Sequence, residues 1–272
     1  MSSVNDLHVH STLSDGRETP DELVERARRQ GLSRLVITDH GRVTVPTGLG
    51  VDPLLPFPGA EVSTMHGGRR HHLLAFGPAL LGDQLNAVLR ETLAGRTALA
   101  DAVAERVGVV RAAEDYPSRT SLTRLLAEAL SRPVDDVRDD VIHAWAEAEA
   151  RCGYSYAPTL DVLDALVEGG AIVCLAHPFW QIREPSGRSA VLTDLRLMAE
   201  RGLWGSAVRS YHSRNWDDDA HLLRAIAELG LATIGGSDYH GNGKTALGSD
   251  PTLEATFLRL EVAVLEYSGA GR

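Results

Sequence analysis

The chain has 272 residues, 43% of them apolar and 24% charged, which fits one large or two small folded domains and excludes a disordered chain. With 27 basic against 37 acidic residues the net charge is −10, a poor match for long nucleic acid, which is gripped by neutralising its phosphates. No apolar run is long enough to span a bilayer, no cationic and apolar leader opens the chain, and two cysteines are too few for a disulfide framework, so a reducing cytoplasm and no membrane partner are expected.

Strands and helices alternate at the start. Asn5 to Val9 reads as a strand. Thr19-Pro20-Asp21-Glu22 carries a cap, a proline and first-turn acids, and starts a helix that stops at Gly31. Leu35 to Ile37 is a buried strand ending in Thr38-Asp39-His40. A loop rich in glycine and proline follows, then strands over about Gly59 to Ser63 and His71 to Phe76. From about Leu81 to Ala157 apolar residues recur at helical spacing instead, as in Leu85, Val88, Leu89 and Val137, Val141, Trp145. About four helices are expected there.

Alternation then resumes. Thr159 to Glu168 predicts a helix, Ala171 to Ala176 a strand, Val191 to Arg201 a helix and Ser206 to Tyr211 a strand. Trp216 to Leu229 and Leu231 to Gly235 repeat the pair, and Phe257 to Leu265 reads as one more strand. The pattern predicts an α/β fold with a parallel sheet.

Six of the 11 histidines, His8, His10, His40, His72, His177 and His240, sit at or just past strand ends. In α/β barrels that is where active sites assemble. His8 and His10 are two apart, as are Asp238 and His240, so each pair can present two ligands to one side of a strand. Asp15, Asp39 and Glu61 accompany them. Nitrogen and carboxylate ligands without a thiolate pair suit manganese, zinc or iron.

His8-Val9-His10, Ser14-Asp15-Gly16, Thr38-Asp39-His40, Pro58-Gly59-Ala60-Glu61, Ala176-His177-Pro178 and Gly236-Ser237-Asp238-Tyr239-His240 follow one another in the order of the motifs of the PHP (polymerase and histidinol phosphatase) family. The chain resembles that family over nearly its whole length, and its helical insertion resembles the subgroup that includes 3′,5′-bisphosphate nucleotidases. The resemblance implies a distorted (β/α)7 TIM-like barrel over residues 1–80 and 158–272, with residues 81–157 inserted as a helical lid. It implies two or three divalent ions. One would take His8, His10, Glu61 and Asp238; a second, sharing Glu61, His72 and His177; a third, Asp15, His40 and His240. Asp39 would orient a ligand or a water. The implied activity is metal-dependent hydrolysis of a phosphate ester of a small metabolite or nucleotide, by in-line attack of a metal-activated hydroxide.

Two departures mark this chain. Gly41 stands where the subgroup usually has an acid, and Arg209 where the family often has a glutamate. Arginines fork onto phosphate, so Arg42, Arg209, Arg111 and Arg119 are candidate substrate contacts, with Lys244 beside them and His212 as a candidate acid. An amidohydrolase-type barrel and a degenerate metal-binding or regulatory module are the alternatives. Lys244 is the single lysine and lies far downstream of where many amidohydrolases place a carboxylated bridging lysine. Three divalent ions would bring about +6 to a pocket whose ligand carboxylates supply about −3, so the global charge does not exclude a small phosphate.

Overall fold

The structure, a computed structural model, describes residues 3–112, 115–152, 156–179, 185–207 and 216–269. β1 (Asn5–Val9) and β2 (Arg34–Ile37) pair in parallel, joined by α1 (Pro20–Gln30). The α1 start is a complete capping box: Thr19 Oγ1 accepts from the Glu22 amide while the Glu22 carboxylate accepts from the Thr19 amide. Gly31 ends the helix at φ 71°, the left-handed conformation that glycine adopts readily.

A second sheet runs in the order β3 (Gly59–His66), β4 (Arg69–Phe76), β5 (Ile172–Ala176), β6 (Gly205–Ala207) and β7 (Ala232–Ile234). Only β5, β6 and β7 are parallel; β4 runs antiparallel to both β3 and β5, which corrects the expected all-parallel sheet. The cause is local. Gly67-Gly68, both at positive φ, form a two-residue turn, and a turn that short joins antiparallel strands only. Single bridges join the two sheets, His40 to Glu61 at one margin and Val9 to Tyr239 at the other.

Alternate strand residues face two cores. Leu73, Val173 and Leu175 pack with Leu163 and Leu166 of α5 (Thr159–Glu168), Leu195 and Met198 of α6 (Pro185–Glu200), and Leu222 and Ile226 of α7 (Trp216–Glu228). Leu74, Phe76 and Cys174 pack with Leu7 and with Phe257, Leu260 and Val264 of α8 (Glu254–Gly269). The latter segment is a helix, not the expected strand. Phe257, Leu260 and Val264 lie on one helical face and are buried, whereas Leu258, Val262 and Leu265 on the other face are exposed.

Among the described residues between Leu81 and Ala157 there are three long helices, not four: α2 (Asp83–Val107), α3 (Arg119–Leu130) and α4 (Val134–Cys152). α2 runs unbroken through Gly95, which costs only about 1 kcal/mol in a helix interior. Leu85 and Leu89 of α2 join the core shared with β3–β5, while Leu99 and Val103 join Leu122, Val141 and Trp145 in a separate core drawn from α2–α4. Among the described residues no helix is long and apolar enough to cross a membrane.

Candidate metal centre

All nine side chains proposed as ligands converge. His8 and His10 leave the end of β1 on one side, their Nε2 atoms 3.1 Å apart. Asp15 arrives on the turn after β1, which packs so closely that a Cβ on Gly16 would lie 2.2 Å from the His10 carbonyl oxygen. His40 follows β2, Glu61 and His72 lie on the paired β3 and β4, and His177, Asp238 and His240 follow β5 and β7. His177 and Asp238 hold φ of 27° and 51°. Such left-handed backbone costs roughly 1–3 kcal/mol per residue and clusters at functional sites.

Glu61 is the hub. Its Oε2 lies 3.2 Å from His8 Nε2, 3.1 Å from His10 Nε2 and 3.2 Å from His40 Nδ1. Its Oε1 lies 2.7 Å from His72 Nδ1 and 3.1 Å from His177 Nε2. Asp238 Oδ1 stands 3.4 and 3.3 Å from His8 and His10 Nε2. Asp15 Oδ1 is 3.2 Å from His240 Nε2 and 3.8 Å from His40 Nε2. Ligands about 2.0–2.2 Å from one tetrahedral ion stand about 3.3–3.6 Å apart, close to these separations. Two groups have donor atoms all within 4.8 Å of one another: His8, Glu61, His177 and Asp238, and His10, Asp15, His40 and His240. His10 thus falls with the second group by this measure, although its Nε2 also faces Glu61 and Asp238.

Charge completes the fit to a cation. Burial alone would raise the carboxyls of Asp15, Glu61 and Asp238; the surrounding imidazoles outweigh it and hold all three well below the carboxylate range. Burial pushes His40 down to about 3 and lowers His72, which leaves neutral rings with a lone pair to share. Asp15 Oδ1, Glu61 Oε2 and His40 Nδ1 are buried without a hydrogen bond. Buried orphans among carboxylates and neutral imidazoles are what divalent metal ligands look like. Cys174 is buried in the β5 core and adds no thiolate.

Buried carboxylates brace the ligands from behind. Asp39 accepts from Ser11 N at 2.8 Å, from Ser11 Oγ at 2.6 Å, and from the Ser14 and Thr44 hydroxyls; the Ser14 hydroxyl also lies 3.4 Å from His10 Nδ1. Asp39 therefore acts through His10 and its loop. Asp6, which sequence reasoning passed over, does the same for Asp238 by accepting from the Ser237 amide and hydroxyl at 2.9 and 2.6 Å. Its signal is an acid in a strand whose five residues are all buried. His72 faces Glu61 at 2.7 Å, whereas His71 Nε2 turns away to Asp194 at 3.0 Å.

A cavity of about 260 Å³ opens onto the cluster, and its lining is also basic: Arg70 of β4, Arg96 of α2 and Arg119 of α3, with Ser118 and Thr120. Of the arginines named from sequence that lie among the described residues, only Arg119 lines it. Arg42 is exposed and donates to the Leu13 carbonyl. Arg111 is bound to Asp101 and to the carbonyls of Ala112 and Asp115, so its fork is already filled. Lys244 is exposed and does not line the cavity. Arg209 and His212 lie outside the described residues. Sequence reasoning missed Arg70 and Arg96, which reach the site by the fold of the hairpin and of α2 and follow no motif. Gly41 suits its place: it has φ 62°, and a Cβ there would lie 2.3 Å from Leu93 Cγ of α2.

The PHP domain matches residues 6–88. Over 259 residues the chain is 30% identical to the phosphoribosyl 1,2-cyclic phosphate 1,2-diphosphodiesterase of Eggerthella lenta, covering 88% of this chain and 94% of that protein. It is 28% identical over 268 residues to the 3′,5′-nucleoside bisphosphate phosphatase of Chromobacterium violaceum, covering 88% of each. The fold is shared with a solved protein of Bifidobacterium adolescentis proposed to be a metal-dependent phosphoesterase, at TM-score 0.74 and 24% identity over 97% of this chain and 98% of that one. A carboxylate–imidazole cluster under a basic wall, with this similarity along nearly the full length of the Eggerthella enzyme, makes the chain a member of the PHP family and a metal-dependent phosphoesterase.

Proposed function

We propose that the enzyme hydrolyses a phosphate ester on a small molecule that carries a second phosphoryl group, a nucleotide or sugar phosphate. The observation that carries this reading is one cavity lined both by the ligand cluster and by Arg70, Arg96 and Arg119. Both relatives above are named for substrates with two phosphoryl groups. A cavity of this size, in a chain of net charge −10, suits a small molecule better than a polymer.

Two or three divalent ions, manganese, zinc or iron, are read at the cluster. His8, His10, Glu61 and Asp238 would hold one, Glu61, His72 and His177 a second, and Asp15, His40 and His240 a third. Bound there, such ions make water nucleophilic at neutral pH and draw charge from phosphoryl oxygens. The chain's own side chains do the rest. The arginine wall binds the second phosphoryl group by forked hydrogen bonds and fixes which ester faces the cluster. Burial of Arg119 and its neighbours Arg70 and Arg96 press its pKa down, a crowding of positive charge that an anion relieves. Asp39 and Asp6 keep the ligand loops from yielding. Residues 81–157 form the lid that carries Arg96 and Arg119, and the seven strands, linked by bridges at both sheet margins, read as a distorted (β/α)7 barrel.

The test is a phosphate-release screen with added Mn²⁺ over cyclic phosphates, 3′,5′-bisphosphates, mononucleotides, sugar phosphates and phosphodiesters. Highest kcat/KM on a substrate with two phosphoryl groups, lost in His10→Ala, is expected. Equal rates on simple monoesters, or full activity in His10→Ala, would overturn the reading.

A further inference from the structure

We propose that Tyr116, carried by the inserted region, is a positioning residue that fixes the His40 imidazole for the ion read at Asp15, His40 and His240. The inference rests on that ligand reading and adds a residue that no motif marks.

A metal-binding imidazole is ordinarily oriented by a hydrogen bond from its second ring nitrogen. His240 follows that rule, with Nδ1 2.8 Å from the Asp238 carbonyl oxygen. In His10, Nδ1 lies 3.4 Å from the Ser14 hydroxyl, and in His72, Nε2 lies 3.2 Å from the Ser63 hydroxyl. His40 does not follow it. Its Nδ1 faces Glu61 Oε2 at 3.2 Å but makes no hydrogen bond, and its Nε2 points to Asp15 at 3.8 Å. What adds to that contact in holding the ring is stacking. The Tyr116 ring lies nearly parallel to it, 11° between planes and 5.4 Å between centroids, an offset stack.

Tyr116 is itself fixed. Only 5% of it is exposed. Its carbonyl accepts from the Ser121 hydroxyl at 2.6 Å and from the Ser118 amide at 2.9 Å. The Arg96 guanidinium lies 5.2 Å from its ring centroid and donates to the Pro117 carbonyl at 2.8 Å. The inserted region thus reaches past the substrate cavity and grips a ligand. A lid that only covered the cavity would have no need to touch His40.

The experiment uses the full chain stripped of metal and titrated with Mn²⁺, with ions per chain counted by mass spectrometry and kcat and KM measured in parallel. Tyr116→Phe keeps the ring, Tyr116→Met keeps the volume without it, and His40→Ala is the reference. Tyr116→Met should weaken one ion by at least about tenfold and lower kcat more than KM, while Tyr116→Phe stays near wild type. In a His40→Ala background Tyr116→Met should change nothing further, which a general packing defect would not reproduce. Thermal melts establish that each variant is folded, and Tyr116→Leu replaces Tyr116→Met if the latter is not. Wild-type ion affinity in both ring-less variants overturns the clamp. A full complement of tightly bound ions in His40→Ala overturns the ligand reading, and the clamp with it.

Discussion

His72 Nδ1 lies 2.7 Å from Glu61 Oε1, across paired strands whose register sets Ser63 opposite His72 and Leu74 opposite Glu61. The two residues are diagonal neighbours on one face of a hairpin, so a two-glycine turn fixes how the central carboxylate meets the cluster. Glu61→Gln keeps the shape and removes the charge shared among His8, His10, His40, His72 and His177. Metal content should fall, and phosphate release should drop by about 100-fold or more. Chelation of the wild type should reproduce the loss, with recovery on adding Mn²⁺. Normal metal content in Glu61→Gln would remove Glu61 from the ligand set.

Asp39 makes a milder prediction. Its carboxylate is fully buried and accepts from three hydroxyls and one amide, and an asparagine cannot accept them all. Asp39→Asn should weaken Mn²⁺ binding by about 10–100-fold. It should also lower stability by about 1–3 kcal/mol, read from urea unfolding. Stability lost with metal affinity intact would make Asp39 a brace for the loop alone.

How far the sequence reaches is clear from these residues. Ligands such as His8, His10 and His177 were legible because each belongs to a short motif at a strand end, where two-residue spacing fixes direction. Asp6, Arg70, Arg96 and Tyr116 were not, because their roles arise from contacts across 20 or more positions that no local spacing encodes. The α8 segment misled because its apolar residues fill both a helical stripe and a short β run, and only burial against Phe76 and Cys174 decides between them. The sheet direction turned on Gly67-Gly68, whose turn chemistry outweighs the overall strand–helix rhythm.

The arginine wall predicts a selective defect. Hydrogen bonds to a charged group contribute about 1.5–3 kcal/mol, which is about 10–150-fold in binding. Arg70→Met and Arg119→Met should each raise KM on this scale for substrates with two phosphoryl groups. They should change kcat/KM little for a simple aryl monophosphate, which has no second group to hold. An equal loss on both substrates would place these arginines at the reacting phosphoryl group instead.

Asp194 of α6 ties that helix to the β3–β4 hairpin and predicts acid sensitivity. It is 2% exposed and takes a fork from Arg69, with Nε and a terminal nitrogen each at 2.8 Å, and a contact from His71 Nε2 at 3.0 Å; His66 approaches to 3.8 Å. Burial would raise its carboxyl, but the His71 and Arg69 contacts outweigh this and hold it at about 2. A carboxyl with a depressed pKa in the folded state stabilises fully above its unfolded value of 3.8 and loses that contribution as pH falls towards about 2. The contribution is about 2 kcal/mol at neutral pH. Asp194→Asn should therefore unfold at lower urea than wild type at pH 7, and the gap should narrow steadily below about pH 4. A gap that stays constant down to about pH 3 would mean that Asp194 holds α6 by shape and neutral hydrogen bonds, not by its charge.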